Sequence, residues 1–251
     1  MTIMKYLSIA VITLFSNFSL AGPLSLWQND GWTQFSDDEG VAANGYVNPG
    51  WGGQDFDAEY LYFRKTGTTL HLGIQTGFDL NDGHVRAGTR DYYAGDLALS
   101  FDGDSSNYEF AIDFGLLTKS FFASGTRNYN PTEINADNDN DGVDSAGVYL
   151  VSEWNNDIYF DSESAPFAMD GGSLVASLLT NRVGKSGDSY YRTVSFDLSG
   201  LINNTDQLSL DTHWTMSCGN DAIDGHVELP EPGSLMLLVI GLFALAKRRW
   251  M

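Results

Sequence analysis

The stretch TTLHLGIQTGF, residues 68–78, limits the fold more than any other part of the chain. Leu70, Leu72 and Ile74 recur at every second position, which places them on one face of a strand and on no single face of a helix. AEYLYFRKTG, residues 58–67, stands just before it, and a Thr-Gly-Thr turn separates the two, so the pair reads as a β-hairpin. The next segment, DLALSFDGDSSNYEFAIDFG, repeats the pattern. Leu97, Leu99 and Phe101 line one side of its first strand, and Tyr108, Phe110, Ile112 and Phe114 line one side of its second. GVYLVSEW, SLVASLLT, YYRTVSFDL and DQLSLDTHWTM complete a set of about eight strands. No convincing amphipathic helix interrupts them. Short alternating strands joined by Gly, Asn and Asp predict an all-β body, an antiparallel β-sandwich or jelly roll.

A single body is expected over residues 22–228. Its 43% hydrophobic and 13% aromatic content is ample for a core. Cys218 is the one cysteine, so the fold relies on burial rather than on an internal disulfide. The net charge is −20, and four of the 13 basic residues (Lys5, Lys247, Arg248, Arg249) sit near the ends, leaving nine in the body. Such a surface repels phosphate backbones and argues against a nucleic-acid partner.

Residues 1–21 read as a signal peptide: Lys5 supplies a positive start, an apolar run follows, and Ser19-Leu20-Ala21 offers small residues before a cut at Gly22. Export is therefore expected.

Chemistry is sparse and sits on loops. NADNDNDGVDS, residues 135–145, sets Asp137, Asp139 and Asp141 at alternate positions before Gly142, the first half of an oxygen-ligand calcium loop. Val143 would add its carbonyl and Asp144 a further carboxylate. The twelfth position holds Val148 in place of an acid, so a helix-loop-helix site is not expected, and a solvated acidic turn is the other reading. FDGDSSN, residues 101–107, reads as hairpin turn chemistry. Trp27, Trp32, Trp51 and Trp154 lie in or near Gly/Asn-rich stretches, where they either stack on sugar faces or pack against the body. His71, His84, His213 and His226 form no metalloprotease grouping, and neither a G-x-S-x-G elbow nor a phosphate loop is present. A catalytic residue is not assigned, and no cofactor besides calcium is expected. Cys218 reads as a buried structural thiol.

The chain closes on ELPEPGSLMLLVIGLFALAKRRWM, residues 228–251. The apolar run at 235–246 reaches about 18 Å as a helix, short of the roughly 30 Å hydrocarbon core. A short transmembrane helix over about 234–246 would thus anchor the chain only transiently, with its basic tip in the cytoplasm. Pro230-Glu231-Pro232, a short hydrophobic helix and Lys247-Arg248-Arg249, in that order, resemble the PEP-CTERM sorting signal of Gram-negative bacteria, here residues 229–251. The resemblance implies processing by an exosortase, in a host that secretes exopolysaccharide. The run Thr215-Met216-Ser217-Cys218-Gly219-Asn220-Asp221 is similar to one that precedes the sorting signal in a group of exosortase-dependent surface proteins, which implies placement rather than activity and makes a modification site the alternative role for Cys218.

Together these features predict an exported cell-surface or matrix protein, non-enzymatic and associated with exopolysaccharide or another surface glycan in a biofilm. The alternatives are a secreted polysaccharide-active hydrolase or lyase on a jelly-roll scaffold, and a structural coat protein without a discrete ligand.

Overall fold

The computed structural model describes residues 22–38, 52–122, 129–134, 145–159, 164–203, 205 and 208–229. The all-β expectation holds. In chain order the strands are β1 (Thr33–Asp37), β2 (Ala58–Thr66), β3 (Thr69–Thr76), β4 (His84–Ala87), β5 (Arg90–Tyr93), β6 (Leu97–Ser100), β7 (Phe110–Asp113), β8 (Gly147–Asn155), β9 (Ala168–Ser177), β10 (Thr180–Ser186), β11 (Ser189–Asp197), β12 (Leu208–Thr215) and β13 (Ala222–Leu229). One sheet has the order β1-β2-β3-β11-β10 and the other β13-β12-β6-β7-β8-β9, with β4-β5 a separate hairpin. Every pairing is antiparallel.

The sheets pack face to face through the residues that the alternation marks. Leu61, Phe63, Leu70, Leu72, Ile74, Val194 and Phe196 from the first meet Leu97, Leu99, Ile112, Val148, Leu210, Trp214 and Ile223 from the second in one buried cluster. Each such side chain contributes roughly 1.5–3 kcal/mol when fully buried. The Thr-Gly-Thr turn is in place: Thr66 pairs with Thr69 across Gly67, whose φ of +60° suits glycine.

Both sides of the sandwich are tied. On one side the edge strands β1 and β13 meet, where Ser36 Oγ donates to the Asp224 carbonyl and the Phe35 ring lies over Gly225. On the other side β9 leads into β10 through Leu178 and Leu179 alone.

Three local expectations need correction. SLVASLLT is not one strand: β9 starts earlier, at Ala168, and stops at Ser177, while Thr180 opens β10. Tyr108 does not join Phe110, Ile112 and Phe114, because β7 begins only at Phe110, and its ring lies 5.9 Å from that of His213. The eight expected strands are thirteen among the described residues, the additions being mainly short or polar ones.

The signal peptide, the acidic run 135–144, Trp51 and the tail from Pro230 onward lie outside the described residues. Among the described residues no helix is long and apolar enough to cross a membrane.

Candidate functional site

The last two strands carry the densest polar chemistry. In β12, Leu210 and Trp214 face the core, so Asp211 and His213 between them point to the outer face. Antiparallel pairing with β13 sets Asp211 opposite His226 and His213 opposite Asp224. Both pairs close: His226 Nδ1 is 2.7 Å from Asp211 Oδ1, and His213 Nδ1 is 2.7 Å from Asp224 Oδ1. The second ring nitrogen of His213 is 3.0 Å from the Ser164 carbonyl. The His226 side chain, in contrast, is 55% exposed.

These strands and the β6–β7 loop wall a cleft of about 560 Å³, lined by Ser105, Tyr108, Asp211, Asp224 and His226 with flanking Gly103, Thr212 and Gly225. Burial pushes the Tyr108 phenol up, and the Asp224 and Asp211 carboxylates add to the effect, so it stays a neutral hydrogen-bonding group. Asp211 Oδ2 is buried without a hydrogen-bond partner among the described residues. Of the two rings, only His226 lines the cleft; His213 is buried behind it with both nitrogens engaged. Among the described residues no hydroxyl is hydrogen-bonded to either ring, so the pairs lack the attached nucleophile of a triad. Sequence inspection treats these histidines as scattered, yet Asp211-Thr212-His213 and Asp224-Gly225-His226 are two Asp-x-His triplets.

The run between these strands is a buried turn. Gly219 N donates to the Met216 carbonyl at 2.7 Å, with Gly219 at φ +60°. Ser217 exchanges backbone and side-chain hydrogen bonds with Tyr93, and Asp221 Oδ2 accepts from Ala58 N at 2.7 Å. Cys218 is fully buried in the core cluster, and burial pushes its thiol up. The run thus ties the β4-β5 hairpin and β2 to the end of the second sheet.

Beside it, burial and then the Asp221 carboxylate push the Asp38 carboxyl up to about 8, with smaller effects from Asp57 and Asp224. The folded state therefore holds this proton between about pH 4 and pH 8. Stability from that proton is complete below the unfolded carboxyl range and is lost as the pH rises through 8. Asp38→Asn, which mimics the protonated form, is expected to raise the melting temperature at pH 8–9 and to change it little at pH 4. An equal shift at both pH values would sink this assignment.

The tryptophans separate. Trp27 stacks on Tyr62 with ring centroids 4.3 Å apart, donates from Nε1 to Gln75 Oε1 at 2.7 Å, and is only 4% exposed. It sits where Gly73 leaves room, since a Cβ there would come within 2.5 Å of its ring. Of its two readings, packing against the body is the one its burial fits. Trp154 is half-buried against Tyr149 and Met169, with Nε1 donating to the Tyr108 carbonyl at 2.9 Å. Trp32 is half-buried beside Trp27, and the Arg64 guanidinium carbon lies 5.0 Å from its ring centroid.

The family model of the PEP-CTERM protein-sorting motif matches residues 228–249. Its first two positions, Glu228 and Leu229, are the last two residues of β13. The chain carries an exosortase-dependent sorting signal, the mark of an exported protein. Neither a curated protein nor a solved structure matches the chain.

Proposed function

We propose that the chain is delivered by an exosortase to the outer surface or extracellular matrix of a Gram-negative bacterium, where its sandwich serves as a non-enzymatic module bound to exopolysaccharide in a biofilm. The sorting motif at 228–249 carries this reading. The motif begins within β13, so recognition takes place directly beside a folded body, and removal of the tail delivers the sandwich whole. Transient anchoring through the short helix at about 234–246 precedes release. Calcium held by Asp137, Asp139, Asp141, Asp144 and the Val143 carbonyl would bridge the acidic surface to acidic sugars.

The full chain is expected to be retained on the host's exopolysaccharide, more strongly with millimolar calcium, and to release no reducing ends. Failure of retention with and without calcium would sink the binding reading.

The cleft between β12 and the β6–β7 loop favours a second reading, a polysaccharide-active hydrolase or lyase. Its paired histidines and carboxylates are the groups that general acid–base chemistry uses. Chain shortening that Asp211→Asn abolishes, with folding intact, would establish that reading in place of the first.

A further inference from the structure

The outer face of the five-stranded sheet carries two arginines, Arg64 and Arg182, among aromatic rings and hydroxyls. Its register sets Arg64 opposite His71, His71 opposite Ser195, and Ser195 opposite Thr180. The adjoining row is Tyr62, Gly73, Thr193 and Arg182. Trp27 covers Tyr62 and Gly73 in this second row, and Trp32 borders it, 3.4 Å from where a Cβ at Gly73 would be. Tyr191 is laid across Gly184 of β10 in the same manner, within 2.5 Å of where that Cβ would be. Two strand glycines thus admit rings that flatten the face, and Thr193 supplies a half-buried hydroxyl between the strands of the two arginines, while the Thr180 hydroxyl, on the strand of Arg182, is hydrogen-bonded with Ser195 Oγ at 2.7 Å.

The cations elsewhere are largely occupied. Arg86 pairs with Asp91 and Lys119 with Glu133, Arg192 is buried on the Phe114 carbonyl, and Arg90 is bonded to the Tyr159 hydroxyl. Among the described residues neither Arg64 nor Arg182 forms an ion pair. Arg64 donates from Nη1 to the Asp30 carbonyl at 2.8 Å and rests on the Trp32 ring. Its Nε is buried beneath the surface, so the outer end of the guanidinium is the part that meets a ligand. Asp197, in the next row out, is engaged by Ser199 through its backbone N–H and hydroxyl, at 2.9 and 2.6 Å.

We propose that this face binds a strand of acidic polysaccharide, one sugar acid on Arg64 beside Trp32 and another toward Arg182. The inference rests on the exopolysaccharide reading and adds the sugar class and the surface. Arg64 and Arg182 stand on the two outer strands of a four-strand span, in adjoining rows, so their Cα atoms are about 16 Å apart at the usual strand spacing and rise, which suits successive acidic residues of one chain. Charges more than about 8 Å away are largely screened at physiological salt, which leaves Asp37 and Asp197, on this same sheet face, as the carboxylates that bound the patch. A nucleic acid would offer the same anionic groups, but its dense phosphates would also meet these carboxylates.

The test uses the full chain in affinity electrophoresis through polygalacturonate, with dextran as the neutral control and single-stranded DNA as the other anion. Retardation by polygalacturonate alone is expected. Arg64→Gln and Trp32→Ala should each weaken it at least about tenfold, Arg182→Gln a few-fold, and 0.5 M salt should largely remove it. Thermal melting confirms that each variant is folded, and Arg182→Gln, on an exposed edge strand, serves if the others are not. Absence of retardation, equal retardation by dextran or DNA, or folded variants that migrate like the parent would overturn the proposal. If parent and variants alike are retained on the host's own exopolysaccharide, this face is wrong and the general reading survives. If the parent is not retained there, both fall.

Discussion

Exchange of Pro230, Glu231 and Pro232 together for alanine should leave the C-terminal segment attached to the chain. Mass spectrometry of cells with an active exosortase should then find Met251 on the variant, while the parent has lost it. β13 is the outermost strand of its sheet and pairs with β12 as far as Leu229 opposite Leu208. A proline lacks the N–H that a ladder needs and fixes φ, so the Pro-Glu-Pro sequence is poorly suited to extending a ladder. The triplet belongs to the matched motif, which begins at Glu228. Alanine removes the recognised side chains. The variant's melting temperature should match the parent's, because the substituted residues follow β13, the last strand among the described residues. Equal processing of both chains would overturn the role given to the triplet.

How much of this was readable in advance follows from where each strand sits. The central strands declare themselves because one of their faces is buried: Leu70, Leu72 and Ile74 alternate with His71, Gly73 and Gln75. The strands that escape notice are short or polar. β10, TNRVGKS, is an edge strand with one core-packed residue, Val183, and β4 and β5 are four residues each. Edges favour charge and polarity, which erase the alternation. The cleft was half-legible: two Asp-x-His triplets in antiparallel strands of period two produce two reciprocal Asp–His pairs, provided that the register centres them. That register is a tertiary fact, fixed by the turn at Cys218 to Asp221. Trp27 misleads for a related reason. Its neighbourhood reads as an open loop, and only the pairing that brings Gly73 beneath it reveals a buried site.

Cys218 should be inert to iodoacetamide in the native protein, at least about a thousandfold slower than in denaturant. Two effects combine. The side chain is fully buried among core residues, so reagent reaches it only when the end of the second sheet opens. Burial also pushes the thiol up, which keeps it protonated, and the thiolate is the nucleophile. Opening there is costly because Ser217 and Asp221 on either side are hydrogen-bonded to Tyr93 and Ala58. The run resembling that of other exosortase-dependent surface proteins thus acts here as a clamp, and a packing role is the one that the geometry favours for its thiol over a modification site. Cys218→Ala separates the two: as a packing residue it should cost about 1 kcal/mol of stability and leave surface delivery unchanged. Cys218→Ser should be more destabilising, since it buries a hydroxyl in an apolar site. Rapid labelling of native protein, or loss of surface attachment in Cys218→Ala with folding intact, would overturn the packing role and make this thiol the point at which the body is modified.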